Sequence, residues 1–277
     1  MAVFDSSEKV FYKTLSLLKD YLPNIVIAGG WVPLLYHRYL ISERDNEPLR
    51  TKDIDIALPE KLEVTGRTIN EILKSAGFKV EFKSRDIPPV ITYIGDVEGR
   101  EVEIEFITDL KGPGRDIAID IQRGLHVQAL RFISILLEEP ISVDIDDFSL
   151  DDGSVLRIKI PNPGAFIFHK GLVFMRRKQE AKKAKDLYYI FDVLTSGPEL
   201  TAVQILSSFK NYKNDISGWY TRFLKNLQKY FLDINSDGVI LVSSQRPAGG
   251  FPSLDDDQFK QYVFEVFNEF IYRIKYL

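Results

Sequence analysis

Apolar positions near the start of the chain recur at helical spacing. In SSEKVFYKTLSLLKDYL (6–22), Val10, Phe11, Thr14, Leu15, Leu17, Leu18 and Leu22 share one face, behind a Ser cap with Glu8 close after it. The period then changes. NIVIAGG reads as a buried strand, 24–28, broken by Gly29 and Gly30; WVPLLYHRYL is helical, with Pro33 tolerated in the first turn. A polar loop, ISERDNEPLRTK, leads to DIDIAL, whose faces alternate as in a half-buried strand, and a helix is predicted over 63–76, ended by Gly77. FKVEFKS, PVITYIG and EVEIEFIT alternate in the same way, and the turn DVEGR with Gly99 makes a hairpin of the last two.

Residues 111–160 predict irregular chain with short strands at HVQAL, ISVDI and VLRIKI, and an acidic surface loop at DIDDFSLDDG. From Pro161 the pattern becomes helical: 161–178, 180–197, and further helices near 199–210, 216–232 and 255–275. GVILVSSQRPAGGFP, rich in Gly and Pro, reads as a loop holding at most one short strand. The expected plan is α+β: a mixed sheet with flanking helices over 1–160, then a mainly helical domain over 161–277.

Composition narrows the chemistry. The chain has 277 residues, 45% hydrophobic and 27% charged, which suits a folded globular protein. A net charge of −4 is not the footprint of a general nucleic-acid binder. With no cysteine, disulfides, thiol catalysis and cysteine-bound zinc are excluded, and the three histidines (His37, His126, His169) stand at no metal-ligand spacing. The first residues lack the basic start and apolar core of a signal peptide, and no run approaches the roughly 18 apolar residues of a membrane span. The cytoplasm is the expected compartment.

The chemistry concentrates in IAGGWVPLLYHRYLISERDNEPLRTKDIDIALP (27–59). Side chains two apart on a strand leave the same face, about 6.7 Å apart. Asp53 and Asp55 thus share a face while Ile54 and Ile56 turn to the core, and two like charges so placed call for a cation between them. Hard oxygen ligands of this kind suit Mg²⁺, with Mn²⁺ a second choice, bound together with phosphate oxygens. Gly29 and Gly30, at a strand-to-helix turn, let backbone N–H groups approach a triphosphate. A third carboxylate is available from Glu101, Glu103 or Glu105, which alternate along EVEIEFIT.

The order strand, Gly-Gly, helix, loop, Asp-x-Asp strand and distant carboxylate strand resembles the nucleotidyltransferase superfamily of the DNA polymerase β type. RTKDIDIAL is similar to the form seen in AbiEii-type toxins of type IV toxin–antitoxin systems, and HKGLVFMRRKQEAKKAKDLYYIFDVL to the lysine and Lys-Asp motif that follows their catalytic domain. The resemblance covers about residues 25–195. It implies that Asp53, Asp55 and Glu105 bind the metals, that Glu105 helps activate the attacking hydroxyl, and that Gly29 and Gly30 hold the triphosphate of an NTP substrate. It further implies that Lys170 reaches a phosphate oxygen and that Asp186 orients this lysine or the base. Transfer of NMP to an acceptor, with RNA and above all tRNA favoured, is the activity it points to, and an antitoxin protein is a candidate partner. Two departures stand out. Gly-Gly-Trp replaces the usual Gly-Ser, and Tyr189 stands where those toxins carry a second Asp.

Plainer readings compete at each position. Asp53 and Asp55 read alone as a chance surface pair, Gly29-Gly30 as an ordinary turn, and Glu105 as one more solvent-facing strand residue beside Glu103. Lys170 reads as a snorkelling helix residue, Asp186 as a helical-spacing partner of Lys182 or Lys183, and RRKQEAKKAK as a solvated face. Trp31 reads as a packing residue at a helix start, and His169 carries no catalytic expectation. Two other functions remain in view: transfer to a small molecule, as in antibiotic-modifying enzymes, and a non-catalytic binding protein of the same fold.

Overall fold

A computed structural model describes residues 5–41, 48–49, 51–64, 66–82, 91–112, 117–150, 152–196 and 204–277. Most of the polar loop at 41–52, the predicted strand ends at 83–84 and 89–90, and the start of the helix expected from 199 lie outside them. The chain divides into two compact units, residues 1–32 with 50–161 and residues 33–49 with 162–277.

In the first unit, α1 (Ser6–Ser16) is followed by β1 (Val26–Ala28), the start of α2 (Trp31–Tyr39), β2 (Asp53–Ala57), α3 (Ile69–Ser75), β3 (Lys79–Phe82), β4 (Ile91–Val97) and β5 (Arg100–Asp109). A hairpin of β6 (Ile117–Gln122) and β7 (Leu125–Leu130) comes next, then α4 (Ser134–Leu137) and a separate hairpin of β8 (Ile141–Ser149) and β9 (Val155–Ile160). The mixed sheet runs β1-β2-β5-β4-β3. β5 lies parallel to β2; on its other side β4 runs antiparallel along its first half and β7 parallel along its end. The β4–β5 turn is two residues, Glu98 and Gly99, both at positive φ (55° and 76°), the type I′ geometry that matches strand twist.

Local chemistry sets these boundaries. Asp5, rather than a Ser, caps α1: its carboxylate accepts from the Ser7 and Glu8 amides at 2.8 and 2.9 Å, and Glu8 closes the box on the Asp5 amide. The helix ends at Ser16 instead of 22, because Pro23 disfavours helical backbone at Leu22 and the chain tightens into a 3-10 turn at Leu22–Asn24. A Thr68–Glu71 capping box starts α3 six residues later than the apolar pattern suggests, and Gly77 (φ 86°) follows its end. The β6–β7 hairpin, expected as irregular chain before 125, forms around Arg123 and Gly124 (φ 73°).

The second unit holds the rest of α2 with α5 (Pro163–Val173), α6 (Glu180–Thr195), α7 (Leu206–Asp215), α8 (Ser217–Tyr230), α9 (Asp237–Ser243) and α10 (Asp256–Lys275). Its core is aromatic: Phe168 stacks on Tyr212 at 4.5 Å and meets Phe209 and Phe223 at 5.5 and 5.1 Å. α5 and α8 approach so closely that a Cβ on Gly171 would lie 2.1 Å from the Phe223 ring. α9 corrects the loop-or-strand reading of GVILVS. Buried Gly238, Val239 and Val242 fall at helical spacing, Ile240 turns outward, and Gly238 packs where a Cβ would meet the Tyr230 carbonyl at 2.4 Å. A four-residue apolar run has no period of its own, so packing decides its state. Among the described residues no helix is long and apolar enough to cross a membrane.

Candidate functional site

Register gathers the carboxylates of the first unit. Asp53 is paired with Glu103 and Asp55 with Glu105 across the parallel β2–β5 ladder, and Ala28, the last residue of β1, is paired with Asp55. Paired residues on neighbouring strands point the same way, about 4.8 Å apart. Asp53, Asp55, Glu103 and Glu105 therefore form a two-by-two array on one face, while Ile54, Ile56, Ile104 and Phe106 are buried on the other. Further along, the same face turns apolar: Ala57 and Ile107 join Val26, Ala28, Ile133 and Leu136 in a buried cluster covered by α4. The carboxylates occupy the half that this cluster leaves, Asp53 exposed and the other three half-buried. Thr92 on β4 donates to Glu105 Oε1 at 3.4 Å.

The glycine turn meets this array. Gly29 follows β1 at φ 68°, and a Cβ built there would fall 1.7 Å from Asp55 Oδ2. Asp55 thus lies directly against the backbone from which α2 starts. Trp31 stacks on Phe11 at 4.0 Å, a packing role, and its buried indole N–H has no hydrogen-bond acceptor among the described residues.

The donor set suits a hard divalent cation. It offers only oxygen, its charges are like, and the adjoining turn presents backbone N–H groups where an anion's oxygens can approach. Among the described residues, no three of His, Asp and Glu already converge as a closed cage. The face is a row that phosphate oxygens and water must complete, the ligand mix that Mg²⁺ favours. Two surface clefts of this unit, one at Pro23, Asn24 and Leu137 and one at Leu17, Val97 and Phe148, include none of the four carboxylates.

Replacing Gly29 by Ala tests the close approach. Positive φ costs a non-Gly residue about 1–2 kcal/mol, and the new methyl also displaces the Asp55 carboxylate. The variant is expected to melt lower than the parent. In an Asp55→Gly background the same replacement should cost less, since only the backbone strain is left; an equal cost in both backgrounds would show that Asp55 is not the obstacle.

Lys170 and Asp186 meet within the second unit. Lys170 Nζ donates to Asp186 Oδ1 at 2.7 Å, and Arg177 Nε donates to Oδ2 at 2.6 Å. Both Lys170 and Asp186 are buried, at 5% and 3% exposure, so Lys170 does not snorkel and Asp186 is held by neither Lys182 nor Lys183 in the printed sense of a helical neighbour pair. Burial alone would raise the Asp186 carboxyl, but the charges and hydrogen bonds of Lys170 and Arg177 outweigh it and hold the group at about 2. Burial, aided by the charge of Lys170, pushes the neighbouring His169 down to about 3, so this imidazole is neutral at pH 7. The Tyr189 ring lies 5.2 Å from the Lys170 ammonium, a cation–π contact at the position where the toxin-like motif has a second Asp.

Sequence reasoning missed two features. Glu103 joins the array through register, which a single strand cannot reveal. Arg177 sat inside a basic run that reads as a solvated face, and its nine-residue separation from Asp186 matches no helical spacing.

Comparison with known proteins follows the same lines. No curated protein matches the chain. Among solved structures, a crystal structure of an antigenic nucleotidyltransferase-like protein from Paracoccidioides brasiliensis shares 17% identity over 79% of this chain and 94% of its own, with a TM-score of 0.39. A family model described as nucleotidyltransferase matches residues 17–200, a span that takes in Gly29, Gly30, Asp53, Asp55, Glu105, Lys170 and Asp186. This chain belongs to that nucleotidyltransferase family.

Proposed function

We propose that the chain transfers a nucleoside monophosphate from an NTP to an acceptor hydroxyl, with release of pyrophosphate, in a reaction dependent on Mg²⁺ or Mn²⁺. The observation that carries the proposal is the in-register array of Asp53, Asp55 and Glu105 set against the Gly29 turn. Asp53, Asp55 and Glu105 would hold the metal, which when bound supplies charge neutralisation at the phosphates and a more acidic acceptor hydroxyl. Gly29 and Gly30 leave space for backbone N–H groups to hold the triphosphate. The acceptor oxygen forms its bond to the α-phosphorus as the bond to the bridging oxygen breaks, and the hydroxyl proton passes to a Glu105 carboxylate oxygen. Lys170, oriented by Asp186, supplies positive charge to a phosphate.

RNA, with tRNA foremost, is the acceptor this reading favours. Besides the resemblance to AbiEii-type toxins, charge supports an anionic acceptor. Residues 1–161 carry 20 Lys and Arg against 28 Asp and Glu, whereas residues 162–277 carry 16 against 12. An antitoxin protein stays a proposed partner on the resemblance alone.

Ligand-dependent melting tests the nucleotide part of the proposal. A ligand at a hundred times its Kd stabilises the folded state by about 2.7 kcal/mol. Mg²⁺ with at least one NTP should raise the melting temperature, and Mg²⁺ alone much less. No shift with any of the four NTPs at millimolar concentration would sink the reading.

A further inference from the structure

The Lys170–Asp186–Arg177 cluster sets two cations against one carboxylate, with a neutral imidazole beside it. Its two cations are placed differently. The Lys170 side chain is 6% exposed, and its ammonium lies 5.5 Å from the Phe166 ring and 5.2 Å from that of Tyr189. The Arg177 side chain is 37% exposed, at the end of the short 3-10 turn Phe174–Arg176 that follows α5. A ligand arriving from solvent therefore meets Arg177 before Lys170.

Geometry prepares Arg177 for an oxyanion. Nε–H, one of five guanidinium donors, is committed to Asp186 Oδ2 at 2.6 Å, and a carboxylate buried this deeply restrains the plane of the fork. A planar, restrained guanidinium binds phosphate oxygens in pairs and loses less freedom on binding than a mobile lysine does. Neighbouring charge acts the same way, since Arg176, Lys178, Lys182 and Lys183 flank it along the chain with Glu180 as the one acid between them.

We infer that Arg177 is a substrate-binding residue, the solvent-facing phosphate ligand of this cluster, with Asp186 as its positioning residue and Lys170 as the buried countercharge behind. The inference rests on the nucleotidyl-transfer reading for the identity of the anion, the polyphosphate of an NTP. It assigns to Arg177 the solvent-side contact that the family resemblance would give to Lys170.

Calorimetric titration of the full chain with inorganic tripolyphosphate, and with each Mg-NTP, tests it in the parent, Arg177→Gln, Arg177→Lys and the exposed α8 control Lys225→Gln. Arg177→Gln is expected to bind tripolyphosphate at least tenfold more weakly, Arg177→Lys to recover part of the loss, and Lys225→Gln to match the parent. Melting temperatures of the Arg177 variants should stay within a few degrees of the parent, a split that a purely structural role would not produce. If Arg177→Gln does not fold, Arg177→Lys carries the test, through weaker binding at a parental melting temperature. Parental affinity in a folded Arg177 variant overturns this inference and leaves the proposed function intact. Absence of binding by the parent itself, to tripolyphosphate and every Mg-NTP, overturns both.

Discussion

An Asp55→Asn chain is expected to lose nucleotidyl transfer by about a thousandfold or more, the scale on which removal of one preorganised electrostatic group acts at a transition state, while melting near or above the parent. The two effects separate because Asp55 serves the array at the expense of the sheet. It sits in register with Glu105 and two residues from Asp53 on the same face, with Gly29 backbone against its carboxylate. Asparagine keeps the shape and an accepting oxygen but removes the charge, which relieves repulsion within the array and withdraws a metal ligand. Loss of activity accompanied by a fall of many degrees would mean that Asp55 holds the fold together. Unchanged activity would remove the array from the chemistry.

The second large effect is on stability. Asp186→Asn leaves the buried Lys170 ammonium facing a neutral amide, and breaking a buried pair from one side costs about 3–5 kcal/mol, or roughly 10 °C in a domain of this size. Acid titration gives the same pair a second readout. Asp186 is held at about 2 in the folded chain, below its ordinary unfolded value of about 3.9. Its folded carboxyl is depressed, so its contribution is complete above the unfolded value and is lost as pH falls from about 4 through 2. That contribution is of the order of 2–3 kcal/mol at neutral pH. Parent and Asp186→Asn stabilities measured by urea unfolding should therefore differ most above pH 5 and draw together toward pH 2. A constant difference across that range would show that the carboxyl is not depressed by its two cations.

These residues also show how far the sequence reaches. Alternation alone placed Ile54 and Ile56 inside and Asp53 and Asp55 outside, because a strand has one period and two faces. The step from Gly29-Gly30 to a close backbone approach was legible too, since only glycine leaves room there. What could not be read was the partner across the ladder. Pairing of Asp55 with Glu105, and of Asp53 with Glu103, depends on a parallel β2–β5 register set by residues nearly fifty positions apart. The same holds for α9, where GVILVS carries β-branched residues that suit a strand, and contact with Tyr230 and Phe231 at Gly238 accompanies the helix actually formed. Arg177 shows the reverse case: a surface-like run of charges conceals one member tied to a buried carboxylate, and no local spacing singles it out.

Transfer itself is the most direct test of nucleotidyl transfer by this chain. The parent and Asp55→Asn would each be incubated with Mg²⁺, total RNA and one α-labelled NTP at a time. Label on RNA with at least one NTP, absent from the Asp55→Asn reaction, is the predicted result, and the labelled band identifies base and acceptor together. Label on the protein instead would keep the chemistry and move the acceptor to a side chain. No label on RNA, on protein or on any small acceptor, with all four NTPs, would contradict the account.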